Sequence, residues 1–236
     1  DREVAFVTGC GFDVVPSDCL ANHVAAQVEN PAALVLAIDA PAQMSPGTAK
    51  TMVNFLAGGG MVRREGRLEA QPFGAVVQRF CFPHGEKLAA SVPWGDLESA
   101  YRSTGIPNIT TFLALPRPLA RLARYATPAL KTLLQHAGTR RWMQHTMGRL
   151  YSGPSEHARQ TARCAIYAWA ENRHGQSAEA WLTTVEAYHF TALAGIRCVE
   201  RVLADHPRGV LTPAQAFGAD FVLEIDGTAR QDSPHG

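Results

Sequence analysis

Two stretches of this chain gather polar and acidic groups around glycine turns. The first is Thr8-Gly9-Cys10-Gly11-Phe12-Asp13-Val14-Val15-Pro16-Ser17-Asp18. Gly9 and Gly11 permit positive φ or close backbone approach, and Pro16 holds Val15 extended. Ser17 or Asp18 then caps a helix over Cys19 to Val28. This strand–turn–helix junction leaves backbone N–H groups and the carboxylates of Asp13 and Asp18 at the carboxyl end of a strand, where ligands sit in open α/β sheets. The structural alternative is a turn-stabilising Asp13 and a helix-capping Asp18. The second stretch holds Trp94, Asp96, Tyr101, Ser103, Thr104 and Asn108. Hydroxyls and an amide suit a polar substrate, and Tyr101 serves as a proton donor if a cation lowers its pKa. Arg102 points elsewhere in a regular element. The alternative is a core Trp94 followed by a Ser103-Thr104-Gly105 loop.

Other chemistries are poorly represented. The five cysteines, at 10, 19, 81, 164 and 198, form no CxxC pair, which fits reduced thiols in a cytoplasmic protein. Cys10 lies within the focal turn, where a reactive thiol is conceivable. The nine histidines show no HExxH spacing and imply no metal site. No GxSxG nucleophile elbow occurs. Gly58-Gly59-Gly60 follows a helix, so the dipole opposes an anion there and a helix stop is the better account. A net charge of +1 gives no global attraction to nucleic acid. The longest apolar runs are too short for a transmembrane helix.

The elements that must position these residues can be read from periodicity. Strands are expected over 4–9, 32–40, 61–64, 76–82, 88–92, 108–115, 163–171, 178–188 and 221–225. Helices are expected over 17–29, 48–57, 116–151 divided at Gly138, 189–203 and 213–217. A loop spans Pro41 to Pro46. The run Ala32 to Ala40 reads as a strand buried on both faces. The pattern predicts an α+β fold: a mixed, mainly antiparallel sheet covered by helices. Residues 116–151 are basic and amphipathic, through Arg117, Arg121, Arg124, Lys131, Arg140, Arg141 and Arg149. Such helices present a solvated face, lie on a membrane or phosphate-rich ligand, or dock a long acyl substrate or a partner subunit.

Gly11-Phe12-Asp13-Val14-Val15-Pro16-Ser17-Asp18 resembles the GFDxxPSD signature of saccharopine dehydrogenase-like oxidoreductases. Gly47-Thr48-Ala49, Val92 to Asp96 with Tyr101 to Asn108, and Ala216 to Glu224 agree with it in order. The resemblance covers Ala5 to about Glu224. It implies an NAD- or NADP-dependent parent protein and hydride transfer to or from a small-molecule or lipid-type substrate. It also implies a homodimer. Under it, residues 1–16 are the remnant of an upstream dinucleotide-binding domain, 17–226 a substrate-binding and dimerisation domain, and 227–236 a loose tail. Tyr101 and Asp13 become the catalytic candidates. Phe12, Ser17, Trp94, Asp96, Ser103, Thr104 and Asn108 become substrate-binding, and Gly9, Gly11 and Pro16 cofactor-binding. No GxGxxG motif is present, so tight dinucleotide binding by this chain alone is not expected. The competing expectation is a catalytically inactive dimerisation or interaction module.

Overall fold

The computed structural model describes residues 4–41 and 44–232, with only the backbone described over 121–129. Residues 1–3, two positions of the expected loop Pro41 to Pro46, and 233–236 of the expected tail lie outside the described residues. A nine-stranded mixed sheet forms the centre. Its middle strand, β2 (Ala33–Asp39), pairs in parallel with β7 (Asn108–Ala114) and antiparallel with β8 (Arg163–Glu171). Leu34, Leu36 and Ile38 enter the larger core, while Ala37 and Val35 face a second one around Phe80, Phe82 and Phe112. The period of two thus puts apolar side chains on both faces. β8 continues into β9 (Ser177–Val185), and β11 (Ala229–Gln231) closes that edge.

Two hairpins share the other side of β7. β3 (Gly60–Arg64) with β4 (Arg67–Gln71) meets its start, and β5 (Val77–Phe82) with β6 (Gly85–Ser91) meets its end. A separate two-stranded sheet joins β1 (Ala5–Val7) to β10 (Gly209–Leu211) in parallel.

Helix α1 (Val15–Ala25) lies on the larger core, with Leu20, Ala21 and Val24 fully enclosed. Burying one such leucine contributes roughly 1.5–3 kcal/mol. Around it pack α3 (Asp96–Thr104), α7 (Ala187–Asp205) and α8 (Pro213–Phe217). A further layer comprises α2 (Pro46–Gly58), α4 (Arg117–Gln135) and α5 (Ala137–Leu150), in mutual contact. The short α6 (Glu156–Thr161) leads into β8.

Four expectations need correction. Residues 221–225 are not a strand: Phe221–Glu224 is a 3₁₀ turn. Phe221 and Val222 are both buried, which neighbours in a strand cannot achieve on one face. Residues 229–231 are not loose but form β11, where Thr183 donates to the Ala229 carbonyl at 3.4 Å. Residues 96–104 are a helix, ended by Gly105 in the left-handed region. Finally, α1 begins at Val15 with no side-chain cap at Val14, because Ser17 and Asp18 turn inward.

Candidate functional site

Strands β1 and β10 run side by side and end together, with Thr8 N–H donating to the Leu211 carbonyl at 3.1 Å. At their carboxyl ends lies a concavity of about 330 Å³, lined by Thr8, Gly9, Val14, Gly95, Ser99 and Thr212, with Glu98 and Arg102 also on its wall. That volume falls at the small end of ligand sites. Gly9 makes the turn possible: its φ is +72°, and a Cβ there would sit 2.7 Å from Val14 Cγ2.

The wall opposite the strands is α3, whose helical period divides its residues among three environments. Gly95, Ser99 and Arg102 face the concavity. Asp96, Ala100 and Ser103 face α1 or the core beneath it. Leu97 enters the larger core while its carbonyl accepts from Arg63 at 2.6 Å, and Tyr101 turns toward the β3–β4 hairpin, where Arg63 lies 4.0 Å over its ring.

This division decides where the expected site residues go. Ser17 donates to Asp96 at 2.6 Å, and Ser103 donates to Asp18 at 2.5 Å. Asp18 also accepts the Ala214 N–H at 2.9 Å, tying α1 to the start of α8. Ser17, Asp18 and Asp96 have no exposed surface. Burial pushes Asp96 up to about 8, against the hydrogen bond from Ser17, so this carboxyl is largely protonated at neutral pH. Its Oδ2 has no hydrogen-bond partner among the described residues. Burial also raises Asp18, with the Ser103 and Ala214 bonds opposing. These groups fasten helices together rather than face a ligand.

Phe12 is buried edge-on against Phe190, centroids 5.9 Å apart, and its N–H donates to Thr191 Oγ1 at 3.1 Å. Thr104 donates back to the Ala100 carbonyl at 2.6 Å and helps end α3. Asn108 bridges two elements, donating to the Ala32 carbonyl and accepting from Glu65 N–H. Tyr101 and Asn108 therefore brace the β3–β4 hairpin and are absent from the concavity wall. Trp94 and Asp13 stay near it: the indole N–H donates to the Asp13 carbonyl at 2.9 Å, one residue before Val14. The Asp13 side chain is exposed overall, yet its partly desolvated carboxyl is shifted upward.

The glycines do not offer a cradle for phosphate. The space above Gly9 is filled by Val14, and a Cβ on Gly11 would lie 3.0 Å from Thr191. Pro16 is buried in the first turn of α1. Val14 and Val15 N–H both point to the Gly11 carbonyl, at 3.2 and 2.9 Å. Gly11 and Pro16, expected at a cofactor, thus approach protein, and Gly9 lines the concavity with Val14 filling the space on its Cβ side, so the turn offers no cradle for the pyrophosphate of a dinucleotide. Among the described residues no cluster of three His, Cys, Asp or Glu could hold a metal.

Ser99, Arg102, Thr8 and Thr212 line the concavity; Arg102, expected to point elsewhere, faces it instead. A helical reading of 96–104 exposes the first two, since Glu98 and Arg102 form an i,i+4 pair at 2.7 Å and Gly105 marks the stop. Asp220 and Glu224 belong to ion pairs with Arg230 and with Arg197 and Arg201. In Gly47-Thr48-Ala49, Thr48 N–H is capped by Ser45 Oγ, and Thr48 Oγ1 meets the Tyr188 hydroxyl at 2.8 Å.

No known family model matches the chain, and no curated protein matches it in sequence. Among solved structures it is similar to apo histidine-tagged saccharopine dehydrogenase (L-Glu forming) from Saccharomyces cerevisiae. The TM-score is 0.50 and the identity 10%, over 90% of this chain and 68% of that one. The likeness is one of fold: the chain has an α+β architecture with a saccharopine dehydrogenase as structural neighbour.

Proposed function

We propose that this chain is the substrate-side part of a saccharopine dehydrogenase-like oxidoreductase whose NAD or NADP is held by another unit. The observation that carries the reading is the concavity at the carboxyl ends of a parallel strand pair, β1 and β10. Parallel strands belong to larger sheets covered on both faces, and an isolated pair is marginal in water. Val4, Phe6 and Val210 are each about 60% or more exposed on this pair, as expected if further strands and helices cover it in the whole enzyme.

In this reading the nicotinamide supplies hydride chemistry, and the chain contributes binding and orientation. Ser99 and Thr8 offer hydroxyls to a polar group, Thr212 being buried and committed to capping α8, and Arg102 offers a cation already oriented by Glu98. Asp13, next in sequence to the wall residue Val14, is the candidate proton-handling carboxyl. The Tyr101 hydroxyl is left out, because its ring sits under Arg63.

Titration of the chain with NADPH is expected to give a Kd weaker than about 1 mM; micromolar affinity would refute the assignment of the cofactor to another unit. A fragment screen followed by amide NMR shifts addresses the concavity itself. Shifts are expected at Gly9, Gly95, Ser99 and Thr212, and their loss in Ser99→Trp. Hits confined to other surfaces would remove the site.

A further inference from the structure

The charges of this chain are segregated in space. Residues 117–150, helices α4 and α5, hold seven of the 22 Lys and Arg and none of the 21 Asp and Glu. No carboxylate side chain occurs anywhere in 99–155, nor in 40–64, which contains the α2 helix packed against them. The rest of the chain is correspondingly acidic, so the near-neutral total conceals a cationic layer.

On α5 the cations share a face with an indole. Arg141, Trp142, His145 and Arg149 are all exposed and fall within one stripe at helical spacing. The inner flank meets α2, where Gln144 donates to Asn54 at 2.8 Å and Gly148 lets Lys50 approach. No residue of α5 is buried. Trp142 is 65% exposed and Leu150 72%, and Leu119 and Leu133 of α4 are at least half exposed. A merely solvated face explains the arginines but not the large apolar groups among them.

We propose that the α4–α5 pair docks this protein onto the surface of an anionic lipid bilayer. Arginines at headgroup depth meet lipid phosphates, while the indole and leucines enter the boundary with the acyl chains. Charge complementarity selects the anionic partner, and the exposed leucines favour a lipid over a nucleic acid, whose bases could stack on the indole but offer the leucines nothing. No helix among the described residues is long and apolar enough to cross the membrane, so the attachment is peripheral. It is independent of the oxidoreductase reading, which concerns the α3-lined concavity, to which α4 and α5 contribute no lining residue among the described residues.

Co-sedimentation with phosphatidylcholine vesicles, with and without phosphatidylglycerol, tests the proposal on the whole chain. Binding is expected only to the phosphatidylglycerol vesicles and is expected to weaken with salt. Each arginine removed lowers the partition coefficient by about fivefold, so Arg141→Gln with Arg149→Gln lowers it about 25-fold. Brominated lipid is expected to quench tryptophan emission in the parent chain and much less in Trp142→Phe. Since no α5 residue is buried, circular dichroism of these variants should match the parent. Failure to sediment with either vesicle overturns the proposal. So does equal binding to a single-stranded oligonucleotide with no effect of Trp142→Ala on either ligand, which would mark a general polyanion surface.

Discussion

Helices α1 and α5 treat their polar residues in opposite ways. α1 buries eight of its 11 residues, including Ser17 and Asp18; α5 buries none of 14. Around α1, the side chains whose types suggest catalysis satisfy one another across the α1–α3 contact. Along α5, the side chains that suggest an ordinary wet surface are the ones left free to meet something else. A carboxylate and a hydroxyl near a glycine turn are therefore weak evidence for a ligand until burial is known. Buried polar groups must find partners, and here they find them inside the protein.

The largest expected effect tests this contrast in stability. Phe12→Ala removes a ring that is 5% exposed and packed on Phe190, and should cost about 3–5 kcal/mol in urea unfolding. Trp142→Ala removes a ring that is 65% exposed and should change stability by less than about 0.5 kcal/mol. Comparable losses at the two positions would mean that α5 is packed more firmly than its exposure indicates.

Asp96 sharpens the same comparison through pH. Its folded-state pKa, about 8, lies above the unfolded value near 3.8. Between those values the folded state holds a proton that the unfolded state has lost, so this group's contribution falls as pH rises through the window. Asp18 acts in the same direction. Asp96→Asn keeps a neutral group of the same shape and should flatten the decline in stability between about pH 5 and pH 8. An unchanged slope would show that Asp96 is charged in the fold.

Much of the sheet was legible in the chain and much of the site was not, for a physical reason. Alternation in 163–171 separates Cys164, Ile166, Ala168 and Ala170 from Ala165 and Tyr167, and the two sets enter different cores. That pattern is local, and so are the turn at Glu65-Gly66 and the glycine stop after α2. Helix α3 is harder to read because it is only nine residues long and buries just two apolar side chains, Leu97 and Ala100, before the Gly105 stop, which is too little for a clear helical period. The Ser17–Asp96 and Ser103–Asp18 bonds join residues 79 and 85 positions apart, and no local signal announces a partner at that separation. The parallel pairing of β1 with β10, which creates the concavity, spans still more of the chain.

Cys10 lies between the two extremes, half-buried on the focal turn and facing α7, and it carries the smallest of the expected effects. A hydrogen bond from the Cys198 thiol lowers Cys10 to about 7, outweighing the opposing effect of burial, while Cys19 and Cys164 are buried and shifted upward. Cys198→Ala removes the donor, and Cys10 should return toward the ordinary value near 8.5. At neutral pH the thiolate fraction then falls roughly 15-fold, but a more basic thiolate is intrinsically more nucleophilic, with a Brønsted slope near 0.4–0.5. The net expectation is a drop of only about threefold in the rate of iodoacetamide labelling at the Cys10 peptide. The midpoint of its pH profile moves upward by about 1.5 units. Labelling at Cys81, which is exposed and remote in sequence, should not change. A Cys10 midpoint that stays near 7 in Cys198→Ala would mean that the turn itself, rather than the neighbouring thiol, stabilises the thiolate, and the boundary between buried junction and open surface would have to be drawn on the other side of Cys10.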